Sequence, residues 1–137
     1  MYAFDLKNSS APVAGTDNDT LSVSGLLSVT ATPASPFSIA LESINPGSGN
    51  LGPANFNMTQ SYSWTLISAG SISGFNAADF TVNTSAFQNP LGGGSFVVGE
   101  IGNTLTLDFT PVPEPGTWTL MLGGLGALAA AWRRRRS

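Results

Sequence analysis

The chain holds 137 residues, with eight Asp or Glu against five Lys or Arg, a formal charge of −3, and neither His nor Cys. Without those two residue types it forms no disulfide, no thiolate–imidazole pair and almost none of the usual zinc or transition-metal sites. Cations outside the C-terminus are too scarce to read phosphates, so nucleic acid is excluded as a partner.

The N-terminus opens with Met1-Tyr-Ala-Phe-Asp-Leu-Lys. It lacks the basic n-region and the apolar stretch of ~7–15 residues that a secretory signal needs. Two expectations follow: a signal was removed upstream, or Met1 begins the C-terminal piece of a longer protein.

From here to residue 111 the pattern is period-two alternation, the mark of strands with one buried face. Tyr2, Phe4 and Leu6 make the first such face, and Leu21 with Val23 the second. Leu27, Val29 and Ala31 continue it beyond Gly25, where a bend or bulge is expected. Phe37, Ile39 and Leu41 follow, then Tyr62, Trp64 and Leu66, and finally Leu105, Leu107 and Phe109; Phe80 with Val82 and Phe96 with Val98 mark two shorter strands. Turn-forming breaks separate them at Asn45 to Asn50, Pro53 to Asn57, Asn89 to Gly94 and Gly99 to Gly102. Asn76 is placed to cap a single helical turn that tucks Phe75 and Phe80 inward. The prediction for residues 1–111 is an all-β ectodomain, either a small sandwich or the closing layers of a β-solenoid.

Catalysis and metal binding are not expected there. Thr16-Asp17-Asn18-Asp19-Thr20 offers oxygen ligands but lacks the later ligands and the glycine of a calcium loop, so a solvated turn is the better reading. Nothing in the sequence brings any two of Asp5, Asp17, Asp19, Glu42, Asp79, Glu100 and Asp108 together as a carboxylate pair. The chain is therefore read as a non-enzyme without cofactor or metal. Tyr62 and Trp64 share a face and could stack on a sugar, although burial in the core explains them better.

The tail is organised differently. Pro113 and Pro115 push Val112 and Glu114 toward extended conformations, so residues 112–115 form a stiff linker unable to join a helix or a central strand. Residues 116–132 contain no charged side chain over 17 positions, about 25 Å as a helix, and are predicted to be one C-terminal transmembrane α-helix. Trp118 and Trp132 suit the two headgroup levels, and Arg133, Arg134, Arg135 and Arg136 suit anionic lipid at the end of the span. Only Lys7 precedes the span, so the positive-inside rule puts residues 133–137 in the cytoplasm as a basic tail. Residues 1–111 are then extracytoplasmic, where seven carboxylates against that one lysine leave −6.

Val112-Pro113-Glu114-Pro115, the apolar run and the terminal arginines together resemble the PEP-CTERM sorting signal of bacterial envelope and exported proteins. The resemblance implies recognition by an exosortase, a membrane-embedded enzyme acting at or near Pro113-Glu114-Pro115, in bacteria that make extracellular polysaccharide. Those residues are then a processing motif and not a catalytic one. A second resemblance rests on Tyr2 to Leu6, Leu21 to Gly25, Pro36-Phe37, Tyr62 to Thr65, Gly74-Phe75 and Phe87 to Phe96. These look like the last module of large exported proteins with autotransporter-associated β-strand repeats. It implies a capping or stalk role, because stacked repeats need their exposed end covered.

The expected function is a non-catalytic surface or extracellular-matrix protein, with a carbohydrate-binding or adhesive β-module as the alternative. Its expected partners are membrane lipid through the C-terminal helix, an exosortase and extracellular polysaccharide. Its expected place is the cell envelope, with release to the outer surface or the medium after processing.

Overall fold

The computed structural model describes residues 1–113 of the chain. The expected transmembrane helix at 116–132 with Trp118 and Trp132, Arg133 to Arg136, and Glu114 and Pro115 of the processing motif lie outside the described residues. Among the described residues no helix is long and apolar enough to cross a membrane.

Seven strands form: β1 Tyr2–Leu6, β2 Leu21–Ser28, β3 Phe37–Ser43, β4 Tyr62–Ser73, β5 Phe80–Ala86, β6 Ser95–Ile101 and β7 Thr104–Thr110. They make a three-stranded sheet in the order β1-β3-β5 and a four-stranded sheet in the order β2-β4-β7-β6. Through β5 the chain visits the two sheets in turn. β1, β3 and β5 are mutually parallel, and β2 runs parallel to β4. Parallel neighbours need a long connection, and here each connection includes a strand of the opposite sheet. The architecture is thus a sandwich wound as a solenoid, combining the two predicted forms.

The winding stops at the C-terminal hairpin. β6 and β7 pair antiparallel in register from Ser95↔Thr110 to Ile101↔Thr104, and β7 inserts antiparallel between β6 and β4. The two-residue loop Gly102-Asn103 has Gly102 at φ 59°, the positive φ that a hairpin turn with glycine first requires.

The core lies between the sheets. Phe4, Leu6, Ile39 and Leu41 come from the three-stranded sheet; Trp64, Leu66, Val98, Leu105, Leu107 and Phe109 come from the other, and Phe87 joins them. All but Phe87 were placed in buried faces by alternation. Asn76 caps the predicted turn, now a 3-10 turn at Ala77–Asp79, by accepting the Ala78 N–H at 3.1 Å. Phe75 and Phe80 pack together behind it with ring centroids 5.7 Å apart.

β2 departs from expectation. Leu21 was expected on its buried face, yet it is 45% exposed, whereas Leu26, outside that face, is 61% exposed as the alternation implies. The face of β2 meets the opposite sheet only around Leu27, which alone of its apolar residues packs on the core cluster. The irregularity expected at Gly25 is present, because the β2–β4 register shifts between Val23 and Leu26. Gly70 lies opposite, where a Cβ would stand 2.8 Å from the Ser24 carbonyl oxygen.

Candidate functional site

The tail leaves the domain from a central strand. Thr110 is the last residue of β7 and pairs with Ser95 of β6. Pro111 follows, and without an amide hydrogen it cannot extend the ladder. Val112 is 54% exposed and Pro113 is exposed too, so the first half of the processing motif stands on the surface.

The turn beside the exit depends on glycine. Gly92 and Gly93 adopt φ 59° and 83°, and the Gly94 N–H donates to the Leu91 carbonyl at 2.9 Å. A side chain at Gly93 would meet Val112 Cγ2 at 3.5 Å, and one at Gly92 would meet Met58 Sδ at 3.0 Å. At Gly94 it would enter the ring of Phe109. Met58, the 91–94 turn and Val112 therefore form one continuous surface around the exit. Sequence reading marked Asn89 to Gly94 as a turn, but its contact with Val112 is a tertiary fact.

Beneath this surface lies an aromatic cluster. Phe56 packs edge-on against Phe87 at 5.2 Å and Phe109 at 4.9 Å, and Phe96 lies 4.9 Å from Phe109. Tyr62 stacks on Trp64 at 5.2 Å between ring centroids. Trp64 is buried, and the Tyr62 hydroxyl donates to Gln60 Oε1 and accepts from the Asn57 N–H. Trp64 is thus core, and Tyr62 is its half-buried, tethered edge. Phe56 and Phe87 are the contributors that alternation does not mark, since each sits in a loop without periodicity.

The acids are less scattered than the sequence implied. Asp5, Asp17 and Asp19 line one cavity of about 240 Å³ with Lys7, Asn18, Ile44 and Gly49, and Asp5 faces Glu42 across the β1–β3 register. The sequence expectation that no two acids meet is corrected here. The loop before β2 folds back along β1, and this return carries no local signal. Two of these carboxylates have main-chain partners: Asp19 Oδ2 accepts from the Asp5 N–H at 3.1 Å, and Asp17 Oδ2 accepts from the Val13 N–H at 2.9 Å. Burial raises the Asp5 carboxyl above the ordinary aspartate range, with the charges of Asp19 and then Glu42 adding to it. Tyr2 is raised by burial as well, then by Asp19 and Asp5. Among the described residues no group of three His, Cys, Asp or Glu is arranged to hold a metal ion.

Asp108, on the outer face of β7, accepts from Ser63 Oγ at 2.5 Å and from Thr106 Oγ1 at 3.2 Å, in a notch opened by Gly99. A second cavity of about 240 Å³ is apolar, bounded by Leu27, Val29, Phe37, Ile67, Phe80 and Leu105 where β2 meets the starts of β3 and β5.

Comparison with known proteins bears on the tail. No curated protein and no solved structure matches the chain. The likeness of residues 2–111 to an autotransporter-associated module therefore rests on its sequence motifs alone. Residues 111–136 match the family model of the PEP-CTERM protein-sorting motif, and the match begins at Pro111, immediately after β7. The chain thus carries a PEP-CTERM sorting signal, which supports an exported or envelope protein recognised by an exosortase.

Proposed function

We propose that this chain is a non-catalytic surface or extracellular-matrix protein. Its β-domain is exported, held by a C-terminal membrane helix and released by an exosortase. In this reading residues 1–111 are extracytoplasmic, 112–115 are the processing linker, 116–132 span the membrane with Trp118 and Trp132 at its edges, and Arg133 to Arg136 face the cytoplasm. Membrane lipid, the exosortase and extracellular polysaccharide are its partners, and the final place is the outer surface or the medium.

One observation carries the reading. The sorting motif begins within one residue of the last strand, and Val112 and Pro113 are exposed there. The non-catalytic part rests on the sequence reading; in the acid cavity, whose convergence of carboxylates is what a hydrolase would need, Asp17 and Asp19 are engaged by main-chain amides and fasten a loop. The capping role implied by the autotransporter likeness is supported by the parallel winding that ends in an antiparallel hairpin. The carbohydrate-binding alternative is weakened at Trp64, which is 2% exposed, while Tyr62 is half-buried.

Intact-mass analysis of the mature protein from a producing host, with and without its exosortase, tests the processing reading. Loss of residues 118–137 only when the enzyme is present is the expected result. Their retention in all mature material overturns it.

A further inference from the structure

The exit of the tail leaves little room between the folded domain and the processing motif. Thr110 is locked in β7, a central strand held by β4 on one side and β6 on the other. Glu114 lies four residues on, which is at most about 14 Å of fully extended chain. More chain cannot be drawn out without unpairing Thr110 from Ser95 and exposing Phe109, which is 1% exposed. An enzyme that engages Pro113-Glu114-Pro115 must therefore come up against the domain surface around the exit.

That surface has a distinct chemistry. Met58 is 40% and Val112 54% exposed, and the Gly92–Gly93 turn lies between them. The loops that build it, residues 44–61 and 87–94, contain no Asp, Glu, Lys or Arg. Elsewhere residues 1–111 carry a formal −6. A neutral, partly apolar patch on an acidic domain can lie against another protein without stranding a charge.

Resting on the exosortase reading above, we infer that the surface formed by Met58, the Leu91–Gly94 turn and Val112 is a docking surface for the extracytoplasmic face of the processing enzyme. The substrate is then recognised as a folded domain together with its motif, and not as a free peptide. Burying Met58 and Val112 against the enzyme adds binding energy, while the short tether holds the motif at its site.

Pulse-chase processing of the full chain in a producing host tests this with four variants. Met58→Glu at native spacing is expected to slow processing by about fivefold or more, the equivalent of roughly 1 kcal/mol in binding. Met58→Leu is expected to match the parent chain. Inserting ten Gly/Ser residues between Thr110 and Pro111 is expected to slow processing too, and Met58→Glu should have no further effect in the inserted chain. Processing of Met58→Glu at the parental rate overturns the inference. So does faster processing after the insertion, or an equal Met58→Glu effect with and without it. If the parent chain is not cut by the enzyme at all, it is the exosortase reading that fails.

Discussion

At the scale of single residues, two positions expose the physics most directly. Gly94 lacks a side chain because Phe109 occupies that space. Gly94→Ala forces the ring and its neighbours Phe56 and Phe96 to shift. Overpacking of this kind costs about 1–3 kcal/mol, to be read as a lower urea midpoint by Trp64 fluorescence in a chain ending after Pro113. Asp5 makes the second case. Its folded pKa is raised, so the folded state holds the proton more tightly than the unfolded chain does. Stability from this group is therefore greatest below the ordinary aspartate range and declines as pH rises through the raised value. Asp5→Asn removes the charge, so urea midpoints should rise at pH 7 and their dependence between pH 3 and pH 7 should flatten. Asp19→Asn keeps an oxygen for the Asp5 N–H while removing the second largest cause of the shift, and should flatten the same dependence in part.

At the scale of elements, the two N-terminal edge strands are treated unequally. The outer edge of β1 is occupied by the loop before β2: Leu6 bridges Asn18, the Lys7 N–H donates to the Asp17 carbonyl at 2.7 Å, and the Asp19 N–H donates to the Asp5 carbonyl at 3.1 Å. This leaves fewer open hydrogen-bonding groups for another chain to pair with. β2 has only the kink at Ser24-Gly25 to disturb pairing, and its sequence LSVSGLLS has no charge. Leu26→Lys should change the urea midpoint by the equivalent of less than about 0.5 kcal/mol, since the side chain is already in solvent. The same substitution should lower concentration-dependent light scattering, because a lysine on an edge opposes strand addition. All seven strands were legible as alternating runs, because a one-face core imposes a period of two. The exposure of Leu21 was not, since alternation reports which side chains share a face and not whether that face meets a second sheet.

At the scale of the whole molecule, the described residues hold a complete core drawn from both sheets, with Phe109 of the last strand among its most buried members. A chain ending after Pro113 is therefore expected to unfold in one cooperative transition, with Trp64 emission and far-UV circular dichroism coinciding. Separate transitions would mean that the two sheets do not share a single core. A chain ending before Leu105 should not reach this state, because β7 is the strand that joins β4 to β6 and brings in Leu105, Leu107 and Phe109.

The sequence by itself determined the all-β character, the buried faces of six strands, the bulge at Gly25, the cap at Asn76 and the sorting motif in the tail. Each of these is written in residues close together in the chain, as a period, a cap or an ordered run. Only the tertiary structure decided that the strands wind between two parallel-paired sheets, that Asp5, Asp17 and Asp19 share a cavity, and that Met58, Gly93 and Val112 surround the exit of the tail. Those facts join residues tens of positions apart, and the pairing that joins them depends on which strand lies beside which, something no local pattern records.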